Sequence, residues 1–175
     1  MGSPSGPDHF PGMGPMGPTG HQSGPKSMEK HPIDRHRAAA TRLKAHHKQG
    51  LALAEWLNGR EEVVEVLHPG LPGHPDHAIW KRDFLGASGL FSIVLHSKSR
   101  EAVLDMVNGM TLFRIGASWG GFESLMIPVY PQQYRSATHW DSSKFTLRIH
   151  AGLEDFDDLI ADLKAGFKRL NRNSH

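Results

Sequence analysis

The last thirty or so residues combine a strand-like pattern with a helix-like pattern, and this pair most constrains the fold. From Phe145 to His150, apolar and polar residues alternate strictly, which is the period of a strand with one buried face. From Phe156 to Leu170, apolar residues instead recur every three or four positions, with aspartates at the start and basic residues near the end. A strand followed by an amphipathic helix predicts a sheet that is covered by helices.

The segments before this pair mix the same two periods. Helices are predicted over residues 38–58, 76–84 and 99–110, and strands over residues 63–67, 90–95, 111–115 and 124–128. Three prolines and two glycines predict a loop over residues 68–77. The order of elements predicts an α+β fold with a small, mostly antiparallel sheet and helices on one face.

The N-terminus has a different composition from the rest of the chain. Residues 1–26 contain seven Gly and six Pro, and their only aliphatic residues are methionines. Such a segment cannot bury enough apolar surface to offset its ordering entropy. We therefore expect a disordered Gly/Pro-rich tail over residues 1–34 and one globular domain over residues 35–175.

Composition excludes several classes of function. The chain has no Cys, which excludes disulfides, thiolate nucleophiles and Cys-type metal sites. None of its 13 His has a partner four residues away on a predicted helix, so no metal site is predicted. A net charge of +2 without a basic block argues against a nucleic-acid partner. No apolar run approaches the roughly 20 residues of a membrane span, and a cytoplasmic location is expected.

Two features point to a small-molecule site. Gly120 and Gly121 allow a tight turn that offers a hydroxyl and an indole from Ser118 and Trp119; a plain turn with one buried Trp is the alternative. Arg148 is a lone guanidinium on the polar side of its strand, where a solvated strand face is the alternative. Arginine suits bidentate recognition of carboxylates. Together the residues suggest a pocket for a carboxylate-bearing small molecule.

Four longer stretches carry a resemblance to a known family. They are RIGASWGGFESL at 114–125, HPGLP at 68–72 with HAIWKRDF at 77–84, GASGLFS at 86–92, and LRIHAGLEDFDDLIADL at 147–163. Over roughly residues 35–171 the chain resembles the C-terminal domain of the cystathionine beta-lyase branch of the Cys/Met-metabolism enzymes, which use pyridoxal phosphate. Trp119 directly after Ser118 is similar to the beta-lyase branch.

The resemblance implies the C-terminal small domain of a fold-type I enzyme. Such an enzyme is a cytoplasmic homotetramer in methionine biosynthesis and transsulfuration, and it cleaves cystathionine by β-elimination. By the same resemblance, Arg148 binds the substrate α-carboxylate, the Trp119 backbone N–H assists, and Ser118 lies beside the cofactor and substrate. Ala117 departs from the family, which commonly has an aromatic residue there, and this difference is expected to loosen the pocket wall.

The family's cofactor lysine and phosphate-binding loop belong to a large N-terminal domain whose motifs do not occur in this sequence. No catalytic residue is therefore assigned, and no cofactor-binding residue is identified. The expected partners are an amino-acid substrate and an N-terminal pyridoxal phosphate domain or full-length lyase subunits. We expect the chain to be inactive alone. The alternative is a non-catalytic module that binds an amino acid or associates with lyase subunits.

Overall fold

The computed structural model describes residues 32–97, 99–141 and 143–172. Its elements are α1 (Pro32–Asn58), β1 (Val63–Leu67), α2 (His77–Asp83), β2 (Leu90–Leu95), α3 (Arg100–Asn108), β3 (Leu125–Val129), a 3-10 turn (Pro131–Gln133), β4 (Phe145–His150) and α4 (Phe156–Arg172). Residues 1–31 of the predicted tail lie outside the described residues, and residues 32–34 belong to α1, which begins six residues before its predicted start.

The four strands form one sheet in the order β1-β2-β4-β3, and every neighbouring pair is antiparallel. Strand β4 is therefore an inner strand. Arg148, in its middle, lies opposite Ser92 of β2 on one side and Ile127 of β3 on the other. The predicted α+β fold with a small antiparallel sheet is confirmed, and the topology places Arg148 within the sheet rather than at its edge.

The core lies between the sheet and the helices. Leu147 and Ile149 of β4 are fully buried, as are Leu53 of α1 and Leu163 of α4. Helix α3 begins as predicted, because the Ser99 side chain accepts a hydrogen bond from the backbone N–H of Ala102. None of the helices within the described part of the chain has the length and apolarity needed to cross a membrane.

The predicted strand over residues 111–115 is wrong. The backbone N–H groups of Thr111, Leu112 and Phe113 donate to the carboxylate of Asp162 on α4, at 2.8 to 3.2 Å. Within this segment, only Arg114 forms a single bridge, to Leu125. The carboxylate takes the amides that a strand would have paired with a neighbour, and apolar residue types alone do not reveal this competition.

Candidate functional site

Strand β4 presents the candidate carboxylate-binding group. The Arg148 side chain is half-buried, and its Nη2 donates to the backbone carbonyl of Ala117 at 2.5 Å. Within the described residues, no carboxylate lies within ion-pair distance of this guanidinium. A guanidinium has five N–H donors in a planar fork, so the donors that do not bond to Ala117 are free for an anion.

The carbonyl that Arg148 contacts belongs to an irregular loop over residues 116–124. The loop carries Ser118 and Trp119, which are both exposed, and the Trp119 side chain is 58% exposed. This finding excludes a turn built around a buried Trp. Gly120 has a φ of 80°, a left-handed conformation that residues with a Cβ rarely adopt. The loop therefore reverses directly after the two candidate residues, and it holds them in solvent beside Arg148.

Side chains rather than a strand ladder fix the middle of this loop. The backbone N–H of Gly120 donates to Nε2 of His150 at 3.1 Å, and the Gly120 carbonyl accepts from Nε of Arg42 at 3.3 Å. His150 is on β4, two residues after Arg148, and Arg42 is on α1. The turn is thus attached to both the sheet and a helix.

Glu154 fixes the far end of the loop. Its carboxylate accepts from the backbone N–H of Ser124 at 2.7 Å and from the Ser124 hydroxyl at 2.8 Å. That hydroxyl in turn accepts from the backbone N–H of Gly152 at 2.8 Å, and the N–H of Leu153 donates to the carbonyl of Phe122 at 2.8 Å. Ser124 is completely buried, so these contacts satisfy polar groups that water does not reach.

Two buried histidines lie close together, one on β4 and the other on α1. His150 is 1% exposed, and its ring centroid lies 4.9 Å from that of His46 on α1, which is equally buried. Burial lowers the pKa of His150 below its ordinary value; the nearby rings and charges of His46 and Arg148 act in the same direction, whereas the Gly121 carbonyl and Glu154 oppose it. His150 is therefore neutral at pH 7.

An apolar groove of about 1030 Å³ opens next to Trp119. It runs between α1, the loop over residues 68–76 and α2. Phe84 is 62% exposed and Leu85 is fully exposed on its wall. His68 lines the groove and is buried, which lowers its pKa below the ordinary value. Apolar side chains exposed in this way are typical of a surface that another protein segment covers.

The structure brings together the loop residues and the strand residue that the sequence analysis named. Arg148 bonds directly to the residue before Ser118, with Trp119 next along the same loop. Sequence patterns did not indicate His150, Arg42 and Glu154, which hold the loop. Strand alternation offered a signal for one of them, because His150 shares the polar side of β4 with Arg148. Among the described residues, no group of three His, Asp or Glu side chains is arranged to hold a metal ion.

Comparison with known proteins identifies the class of protein to which this fold belongs. The family model described as Cys/Met metabolism PLP-dependent enzyme matches residues 37–168. The chain belongs to this family, whose members depend on pyridoxal phosphate.

The particular relatives are amino-acid enzymes. The chain is 46% identical to cystathionine beta-lyase MetC of Escherichia coli over 138 residues, which are 77% of this chain and 35% of the relative. It is 44% identical to the L-alanine/L-glutamate racemase of Wolbachia pipientis over 136 residues, 77% of this chain and 34% of that one. A crystal structure of cystathionine gamma synthase from Xanthomonas oryzae aligns with a TM-score of 0.63 and 32% identity, over 76% of this chain and 35% of that chain. The chain thus spans about a third of the length of these relatives.

The residues around Arg148 lack two features that a pyridoxal phosphate site needs. Neither the loop over residues 116–124 nor strand β4 contains a lysine that could bind an aldehyde. The Gly120 amide is already bonded to His150, so it is not free to bind a phosphate. These residues do not by themselves fit pyridoxal phosphate, and no step that uses the cofactor is assigned to them.

Proposed function

We propose that this domain binds the α-carboxylate of a small amino acid through the guanidinium of Arg148. Ser118 and the backbone N–H of Trp119 complete the site from the adjoining loop. The carboxylate would form paired hydrogen bonds with the guanidinium, which fixes the orientation of the amino acid as well as its position.

One observation carries this proposal. Arg148 is a half-buried cation in the middle of a sheet, and within the described residues its guanidinium bonds to the neutral carbonyl of Ala117 and to no carboxylate. The guanidinium donors that the Ala117 carbonyl does not use can bind both oxygens of a ligand carboxylate. A carboxylate is also what cystathionine, alanine and glutamate share, and these are the compounds in the names of the relatives.

Calorimetric titration with L-alanine and with L-alaninamide tests this proposal. We expect the purified chain to bind L-alanine and not the amide, and Arg148→Gln to weaken L-alanine binding by about tenfold or more. Arg172→Gln, which removes an exposed arginine at the end of α4, is the matched control and is expected to bind normally. Equal binding of the amide, or normal binding by Arg148→Gln, contradicts the proposal.

The enzyme to which this domain contributes is proposed to be a pyridoxal-phosphate-dependent carbon–sulfur lyase that acts on cystathionine. With water, β-elimination of cystathionine gives homocysteine, pyruvate and ammonia. The cofactor supplies the electron sink for that chemistry when it is bound, and this chain supplies the carboxylate anchor. The 46% identity to a cystathionine beta-lyase supports this choice of reaction.

The chain alone is proposed to be inactive, because the residues around Arg148 do not by themselves fit the cofactor. An absorption spectrum recorded after incubation with pyridoxal phosphate and dialysis tests this directly. We expect a colourless protein that releases no pyruvate from cystathionine. A retained yellow band that borohydride fixes to a single lysine would show that this chain anchors the cofactor itself.

A second candidate function is association with other lyase subunits or with an N-terminal cofactor domain. The exposed Phe84, Leu85 and Trp119 on the apolar groove favour it. Sedimentation velocity on the wild-type chain and on Leu85→Glu distinguishes an associated chain from a monomer. Association through the groove predicts a larger species that Leu85→Glu converts to a monomer, whereas a monomeric wild-type chain removes this candidate.

A further inference from the structure

We propose that neutral His150 is a positioning residue for the amino-acid site, because it holds Gly120, and with it Ser118 and Trp119, next to Arg148. The effect of His150 on amino-acid binding rests on the proposed function. Its structural part, the control of the loop by His150, stands on contacts within the chain.

Hydrogen bonds assign the proton on each of the two buried histidines. Nδ1 of His46 lies 2.9 Å from the carbonyl of Ala151, which only accepts, so Nδ1 of His46 carries a proton. Nε2 of His150 lies 3.1 Å from the backbone N–H of Gly120, which only donates, so Nε2 of His150 is unprotonated. The proton of neutral His150 is consequently on Nδ1.

The two remaining ring nitrogens are both buried without a partner in the described part of the chain. They are Nδ1 of His150 and Nε2 of His46, one a donor and the other an acceptor in these tautomers. The ring centroids lie 4.9 Å apart with their planes tilted by 54°, and both residues are almost completely buried. For His150 this burial favours the neutral ring, because a charged ring would be buried without an anion bonded to it.

Protonation of His150 would reverse the contact with the loop. A proton on Nε2 would point at the Gly120 N–H, and the hydrogen bond between them would be lost. The same Nε2 lies 3.4 Å from the Gly121 carbonyl, which a protonated ring can use instead. The charged or titratable groups that act on His150 are His46 from α1, Arg148 from β4 and Glu154 from the segment after it, while Arg42 of α1 bonds to the Gly120 carbonyl. A positive ring would therefore lose its bond to the Gly120 N–H and lie near the positive charge of Arg148, and the carboxylate of Glu154 would offset only part of this cost.

Two substitutions distinguish the role of His150 as a hydrogen-bond acceptor from the effect of its protonation. In His150→Gln the side-chain oxygen reaches approximately the position of Nε2 and does not titrate near neutral pH. In His150→Leu no acceptor remains. His96→Leu, at an exposed histidine after β2, is the control for loss of an imidazole.

Amide hydrogen exchange at residues 116–121, expressed as protection factors over a range of pH, tests the inference. At pH 7.5 we expect His150→Leu to lower the Gly120 protection factor by about tenfold and His150→Gln to keep it within about threefold of wild type. In the wild type, protection is expected to fall as the pH is lowered through the pKa of His150, which lies below the ordinary value of 6.5. His150→Gln should not show this fall.

Two results overturn the inference: wild-type protection at Gly120 in His150→Leu, or an unchanged acid-induced loss of protection in His150→Gln. If His150→Leu does not fold, the pH series on His150→Gln decides alone. The affinity for L-alanine separates this inference from the proposed function. A wild-type chain that binds no L-alanine refutes the carboxylate site, and the protection factors still decide the role of His150.

Discussion

Two segments on either side of Arg114 lack a strand ladder, and the molecule fixes them by different means. The segment over residues 111–113 donates three amides to the carboxylate of Asp162, which is 7% exposed and lies on the core side of α4. The glycine loop over residues 116–124 is held instead by an imidazole, a guanidinium and the carboxylate of Glu154.

The two sets of contacts differ in whether they leave polar groups accessible to a ligand. Asp162 accepts from three consecutive backbone amides, which are therefore not available to a ligand. The contacts of the glycine loop come from three elements and leave Ser118, Trp119 and the rest of the Arg148 guanidinium accessible. We infer that the first segment stabilises the fold, whereas the second is fixed only as far as an accessible site allows.

The largest effect is expected at the first segment. Asp162→Ala leaves three amides without their acceptor and should lower the free energy of unfolding by about 3 kcal/mol. Urea unfolding followed by circular dichroism measures this. Glu55→Ala, at an exposed position of α1, is the control and should change stability little. A small loss for Asp162→Ala would mean that water replaces the carboxylate, and the contrast between the two segments would disappear.

Glu154→Ala is expected to cost less, about 2 kcal/mol, because Ser124 retains its bond to Gly152. The damage should also be local. Hydrogen exchange should accelerate over residues 122–125 and remain unchanged over residues 111–113. Faster exchange in both segments would show that they are one cooperative unit.

Gly120→Ala tests the turn itself and should cost about 1 kcal/mol. A Cβ at residue 120 meets no atom within 4 Å, so the cost arises from the φ of 80° and not from a clash. Gly121→Ala is the matched control, since residue 121 has equal space and no positive φ. The two variants are compared by thermal unfolding; equal midpoints would argue against a strained turn.

The most gradual effect is the dependence of stability on pH. Burial lowers the pKa of His150 and of His68 in the folded chain below the ordinary value of 6.5. Below pH 6.5 the unfolded chain therefore binds more protons than the folded chain, and stability falls as the pH decreases through the folded-state pKa values. Urea unfolding at pH 7.5, 6.5 and 5.5 measures the slope, which His150→Gln should reduce. Equal stability at all three pH values would contradict neutral burial of these rings.

Periodicity was sufficient to predict most of the fold. Alternation from Phe145 to His150 and the apolar stripe from Phe156 to Leu170 are local patterns, and the structure has a strand and a helix there. The strand over residues 111–115 failed because its amides bond to Asp162, about fifty residues later in the chain. A single sequence does not show which distant carboxylate competes for a segment's amides.

The candidate site could be predicted only in part, because its contacts also join residues that are distant in the sequence. Arg148 was recognisable as a charge within an alternating strand, and the glycines marked the turn. The contacts that join them depend on tertiary structure: Arg42 and His150 are more than one hundred residues apart and meet at one glycine. Neither residue type nor spacing indicates that pairing.

Nuclear magnetic resonance of the arginine side chains tests the central claim most directly. The chain, labelled with ¹⁵N, is titrated with L-alanine, and the Nε–H resonance of Arg148 is assigned by its absence in Arg148→Lys. We expect a saturable shift of that resonance with L-alanine and none with L-alaninamide. An Arg148 resonance that stays unchanged, while other arginines shift or none does, would contradict the claim that Arg148 binds the carboxylate.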